Sequence, residues 1–136
     1  MKYRLMDLLA CPIDKTFPLK LIVLRESEAS VHSAAGGPCE LYCGRLAREV
    51  KPSDTPEALG CSTCMKTEVE EGVLYCTTCS RWYPILEGIP RLLPDQLRDR
   101  EEDLKFLRRF KDRLPREIVE EGRPYNLSGG KEKPQR

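Results

Sequence analysis

Seven cysteines in a chain of 136 residues are the residues most able to do chemistry. Six of them form three close pairs, Cys39-x3-Cys43, Cys61-x2-Cys64 and Cys76-x2-Cys79, while Cys11 stands alone in Cys11-Pro12-Ile13-Asp14. A tight turn between two thiolates lets both approach one zinc ion at about 2.3 Å, and two such turns complete a tetrahedron. A structural zinc site of this kind contributes folding free energy directly. The spacing permits two partitions. In one, Cys61, Cys64, Cys76 and Cys79 share an ion, leaving Cys11, Cys39 and Cys43 over. In the other, Cys39, Cys43, Cys61 and Cys64 form one site, and Cys11, Asp14, Cys76 and Cys79 form a second, with Asp14 as an oxygen ligand. The second uses every cysteine and is preferred, although its Cys11/Asp14/Cys76/Cys79 set could instead be held by apolar packing without metal. A redox dithiol at Cys76–Cys79 lacks the surrounding βαβ pattern. Disulfides fit an oxidising compartment or a hyperthermophile. His32, the single histidine, lies in a polar loop and reads as a solvated side chain.

These residues must be positioned by short elements. Leu5, Leu8 and Leu9 give a helical spacing over residues 2–10, ending at Cys11-Pro12. Residues 17–24 read as a buried strand and residues 26–37 as a loop. Residues 38–66, Cys-rich and carrying Pro52 and Pro56, read as an inserted lobe with little regular structure. A strand, a turn at Glu70-Glu71-Gly72 and a second strand Val73–Tyr75 should follow. Residues 80–93 give a short strand, a Glu87-Gly88 turn and an extended apolar stretch. Beyond Pro94, Asp95 suits the N-cap of a long charged helix. The apolar stripe of that helix is Leu97, Leu104, Leu107, Phe106 or Phe110, and Leu114, and Pro115 must break or restart it.

The expected class is thus α+β: a small zinc-ribbon-like antiparallel sheet over 1–25 and 67–94, with a flanking N-terminal helix. A Cys-rich insertion occupies 26–66, a helical C-terminal extension 95–127, and a disordered tail 128–136.

Composition excludes several functions. A formal net charge of +1, spread evenly, argues against a nucleic-acid binder. No apolar run approaches the roughly 20 residues of a membrane helix, and no signal-peptide pattern opens the chain, so a cytoplasmic location is expected. One histidine cannot build a Ser-His-Asp triad with any partner in view, no glycine-rich phosphate loop follows a strand, and cysteine-rich zinc sites are usually closed. Enzymatic activity is not expected.

The run from Glu71 to Pro94, with Leu74-Tyr75-Cys76-Thr77-Thr78-Cys79, then Tyr83-Pro84-Ile85, then Gly88-Ile89-Pro90 and Leu92-Leu93, resembles the tRNA methyltransferase 112 subunit family. So does the start, Met1-Lys2 through Leu8-Leu9-Ala10-Cys11-Pro12. The archaeal members are the most similar, including the form Cys11-Pro12-Ile13-Asp14-Lys15. The likeness covers residues 1–24 and 68–98. It implies a non-catalytic zinc-binding subunit that activates or solubilises Rossmann-fold S-adenosylmethionine-dependent methyltransferases, as a heterodimer. Those enzymes act on tRNA, ribosomal RNA or the class I termination factor, so RNA is met only through the partner. Zinc-bearing relatives have a second cysteine where Asp14 stands here, and the Cys39–Cys64 lobe and the tail from Asp95 lie outside the family motif.

A small sheet leaves an unpaired edge that invites strand addition by a partner. The expected partner-facing residues are Met1, Leu5, Trp82, Tyr83, Ile85, Ile89, Pro90, Leu92 and Leu93, with core as the competing role for Ile85 and Leu74. The alternative function is a nucleic-acid-binding zinc ribbon of the transcription or ribosome type, with Trp82 stacking on a base between Arg81 and Arg91.

Overall fold

A computed structural model describes residues 1–28 and 39–128. His32, Gly36-Gly37 and nearly all of the tail from Ser128 lie outside the described residues.

The centre is a four-stranded antiparallel sheet in the order β1-β4-β5-β6. Strand β1 is Lys20–Glu28, β4 is Thr67–Tyr75, β5 is Trp82–Leu86 and β6 is Ile89–Pro90. The β1/β4 pair brings Lys20 opposite Tyr75 and Glu28 opposite Thr67, with a bulge between Val23 and Glu26. Strand β5 follows β4 through the Cys76–Cys79 loop, pairing Tyr75 with Trp82 and Gly72 with Ile85. Left-handed backbone at Glu87 and Gly88 then turns the chain into β6.

Between β1 and β4 lies the inserted lobe. It holds a two-stranded ribbon, β2 (Tyr42–Cys43) and β3 (Arg48–Glu49), and two short helices, α1 (Pro56–Leu59) and α2 (Cys61–Met65). Helix α3 (Arg100–Phe110) and the single turn α4 (Arg116–Val119) follow the sheet.

Side chains alternate across a strand, so one sheet can serve two cores. Here it does. Leu74, Tyr83 and Ile85 point to one face, where Met1, Tyr3, Met6, Cys11, Leu19 and Cys76 complete the packing. Val73, Tyr75, Trp82 and Leu24 point to the other, where Phe106, Leu107, Phe110, Leu114 and Ile118 cover them. The C-terminal helices are therefore the lid of the second core. Trp82 is its hub: it stacks on Phe106 at 5.8 Å between centroids and donates its indole N–H to the Tyr125 carbonyl at 2.9 Å. Arg98 lies over the same ring, 4.8 Å from its centroid, donates to the Trp82 carbonyl at 2.7 Å, and pairs with buried Asp103 at 2.8 Å.

Several elements differ from those the sequence suggested. The N-terminal element is a 3₁₀ helix, Tyr3–Asp7, and not an α-helix over 2–10, because Met1 and Lys2 are drawn into the sheet beside Val69 and Glu68. Strand β1 starts later and runs to Glu28. Glu70-Glu71-Gly72 is not a turn but the middle of β4. Glu71 is neutralised there by Arg25 and Arg109, and Gly72 allows close approach, since a Cβ would stand 2.6 Å from the Ile22 carbonyl oxygen. Asp95 begins a 3₁₀ turn, while the N-cap of α3 is Asp99, whose carboxylate accepts the Glu102 N–H. Leu97 consequently falls off the helical stripe and is exposed.

The anticipated partner surface also changes. Met1, Trp82, Tyr83 and Ile85 are buried in the domain's own cores, and Trp82 has no face free to stack on a base. Nor is the outer edge of β5 open: Arg91 donates to the Pro84 carbonyl, and Trp82 donates to that of Arg123.

Removing one partner of a buried ion pair strands the other charge, at about 3 kcal/mol or more. Arg98→Ala should therefore lower unfolding free energy by about 3 kcal/mol in urea titration, and a loss within the few tenths expected at an exposed site would refute the role given to the pair.

Candidate metal centre

Two loops built alike face each other at one end of the β1/β4 pair. In the first, the Cys11 carbonyl accepts the Lys15 N–H at 2.9 Å, and the Cys11 N–H donates to the Thr16 carbonyl at 3.0 Å. In the second, the Cys76 carbonyl accepts the Ser80 N–H at 2.9 Å, and the Cys76 N–H donates to the Arg81 carbonyl at 2.9 Å. The fifth residue of each, Lys15 and Ser80, is left-handed at φ 66° and 67°. Asp14 and Cys79 thus hold equivalent positions, three residues after the first cysteine. This equivalence is the physical reason a carboxylate can stand where the second loop has a thiol.

The four ligand atoms of Cys11, Asp14, Cys76 and Cys79 all lie within 4.8 Å of one another. The Cys11 and Cys79 sulfurs are 3.8 Å apart, and the Cys76 sulfur is 3.5 and 3.6 Å from the two Asp14 carboxylate oxygens. A tetrahedron with Zn–S arms of 2.3 Å has edges of about 3.8 Å. The donor set fits zinc in both dimension and type, and it leaves no protein position open for catalysis.

The surroundings suit thiolates. Burial opposes ionisation of Cys76, but N–H groups of Cys79 and Thr78 directed at its sulfur bring the thiol below its ordinary value. Asp14 is held down at about 2, chiefly by the Thr16 N–H at 3.0 Å. Burial pushes Cys79 up to about 11, against the pull of Arg81, which forks onto Asp95 at 2.9 and 2.7 Å. The Tyr83 hydroxyl lies 3.4 Å from the Cys11 sulfur, where it can donate to a thiolate. Tyr83 was expected at a partner surface, and its place beside the Cys11 thiol had no signal in spacing alone. The pairing of Arg81 with Asp95 was equally illegible.

The remaining metal candidates sit elsewhere. Cys39, Cys43, Cys61 and Cys64 are unpaired thiols of the lobe. Among the described residues their sulfurs are not drawn to the ligand spacing of the first cluster. The partition joining Cys61 and Cys64 to Cys76 and Cys79 is overturned, because Cys76 and Cys79 face Cys11 and Asp14. Of the anticipated contact residues, Ile89 and Leu93 are exposed, while Leu5 and Leu92 are half-buried against the first core.

Fold and site together define a small α+β domain whose two cysteine-led loops bring four potential metal ligands together at one end of the sheet. The chain belongs to the Trm112p-like protein family, whose model matches residues 2–88. That span includes both metal loops and the lobe between them. Comparison with curated proteins gives no match. Membership implies, in general terms, a role in methyltransferase activation. No helix among the described residues is long and apolar enough to cross a membrane.

Loss of Asp14 should matter more than loss of an outer-shell contact, which typically costs tenfold to hundredfold in affinity. In chelator competition Asp14→Asn should weaken zinc by at least about tenfold, whereas Asp14→Cys should hold it at least as tightly as wild type. Equal affinity in all three proteins would exclude Asp14 as a ligand. The pH response has a defined sign. Metal-free Cys79, at about 11, carries its proton at neutral pH, and zinc must displace it. Affinity should fall on acidification by about tenfold per pH unit for each thiol displaced, and a flat profile between pH 8 and 6 would contradict thiolate ligation.

Proposed function

We propose that the protein is a non-catalytic subunit that binds and stabilises Rossmann-fold, S-adenosylmethionine-dependent methyltransferases acting on tRNA, ribosomal RNA or a translation termination factor. Family membership supports the general role. The observation that carries the docking mode is a set of exposed aliphatic side chains on the sheet and its flanking segments. Leu8 is 75% exposed, Ile89 56% and Leu93 39%, while Leu5, Leu9 and Leu92 are half-buried against the first core. Large aliphatic side chains left in solvent offer a partner apolar area to bury. Two-residue β6 adds a short outer strand with Pro90 in it, so backbone pairing there would be brief. Side-chain burial, at about 25 cal/mol per Å², supplies the larger share of affinity on this reading.

Zinc at Cys11, Asp14, Cys76 and Cys79 would serve the fold, holding β1, β4 and β5 in register and with them the turn that leads to Ile89. The subunit then contributes no group to methyl transfer. A nucleic-acid zinc ribbon gains nothing from the structure, since Trp82 is buried and Arg81 is committed to Asp95.

Ile89→Asp combined with Leu93→Asp should leave zinc content and thermal unfolding close to wild type. The same pair should abolish co-purification of methyltransferases from the native cell. Undiminished capture by a folded double variant would remove this surface from the interface. Retention of RNA by the isolated chain, lost steeply with salt, would replace the proposal with the nucleic-acid function.

A further inference from the structure

The lobe between β1 and β4 presents a problem of stability. Its described residues, 39–66, bury one large aliphatic side chain, Leu59, while Leu41 and Leu46 are exposed. A unit this small without a core of its own needs a staple. Four cysteines, none of them in a disulfide, sit in it.

Those cysteines are held on two pieces of chain that the fold draws to one place. The Asp7 carboxylate accepts the N–H groups of Glu40, Leu41 and Tyr42 at 2.7–2.8 Å, pinning the Cys39–Cys43 segment to the 3₁₀ helix. Helix α2, carrying Cys61 and Cys64, packs against the same 3₁₀ helix. Arg45 joins the pieces by donating to the Leu59 carbonyl at 2.8 Å. Cys43 also opens a third copy of the turn seen at Cys11 and Cys76. Its carbonyl accepts the N–H of the fifth residue, Ala47, at 2.8 Å, and Ala47 is left-handed at φ 57°. The fourth residue of this turn is Leu46, so a second ligand from this segment must come from Cys39, upstream.

The charges agree with an anionic cluster. Cys39 lies within electrostatic reach of Cys43 and Cys64, and Cys64 within reach of Cys43 and Cys61. Burial disfavours the Cys39 and Cys64 thiolates and the Asp7 carboxylate further disfavours that of Cys39, while Arg4 favours both and Arg45 favours that of Cys64. The Arg45 Nε is buried and has no hydrogen-bond partner among the described residues. A buried, unpartnered guanidinium N–H is costly unless an acceptor meets it, and a thiolate is such an acceptor.

We propose that Cys39, Cys43, Cys61 and Cys64 form a second, structural zinc site that replaces the core the lobe lacks. Four thiols release four protons and the ion takes four thiolates, leaving a complex of charge −2 beside Arg4 and Arg45. The ion draws the two segments to ligand spacing. The site is closed, so its role is to fix the lobe. It stands independently of the methyltransferase reading and of the loading of the first cluster.

The test is metal content of the full chain, purified without chelator, by native mass spectrometry. Wild type should carry one more zinc than Cys61→Ser/Cys64→Ser, and Cys76→Ser/Cys79→Ser should retain the lobe ion. Cobalt substituted into this last variant should give the thiolate charge-transfer absorption of an all-sulfur tetrahedral site. Should variants fail to fold, wild type alone decides. Native alkylation should spare all four lobe thiols until a chelator is added, then label them. Equal zinc in wild type and the lobe variant, lobe thiols labelled at once, or Cys39–Cys43 and Cys61–Cys64 recovered as disulfides would each overturn the proposal.

Discussion

Strand β4 is the constraint on which this small protein depends. From Gly72 to Tyr75 it is buried on both faces and hydrogen-bonded on both edges, to β1 and to β5. Its alternating side chains enter two different cores, so a shift of one residue would exchange them. Gly72 lets β1 approach, Glu71 is answered by Arg25 and Arg109, and Val69 is bonded to Met1. A fold with so few residues has no second strand to take over this duty.

The metal loops are the terminal clamp of that strand. Cys76 follows Tyr75 directly, and Tyr75 is paired with Lys20, just after buried Leu19 in the segment leading from Cys11. An ion held there would tie β1, β4 and β5 where they converge. The sheet's opposite face is closed by other means. Helix α3 and the turn after it lay Phe106, Leu107, Phe110 and Ile118 across it, locked by Trp82, Arg98 and Asp103. One sheet thus has a face that ends at the cluster of potential metal ligands and a face that the helices cover.

The family match covers β1, β4, β5, the two cysteine-led loops and the lobe, but not β6 or the helices beyond residue 88. Those helices are integral to the domain because they bury Trp82, which belongs to β5. A boundary drawn after Pro94 would therefore cut through a core.

Local signals in the sequence determined the α+β class, the strand at Trp82–Leu86, the Glu87-Gly88 turn, the helix restart at Pro115 and the zinc-type spacing of the cysteines. Each depends on residues close in the chain: alternation, a turn dipeptide, a missing N–H, a two-residue gap between thiols. Tertiary structure alone decided which thiols meet, because ligand grouping depends on contacts between residues some 60 apart. It also decided that Glu70-Glu71-Gly72 continues a strand, since two arginines from distant elements remove the reason for that acidic pair to seek solvent. The fate of Trp82 was hidden for the same cause. An apolar residue next to a sheet edge looks alike in sequence whether a partner or the chain's own helix covers it, and only the packing of α3 distinguishes the two.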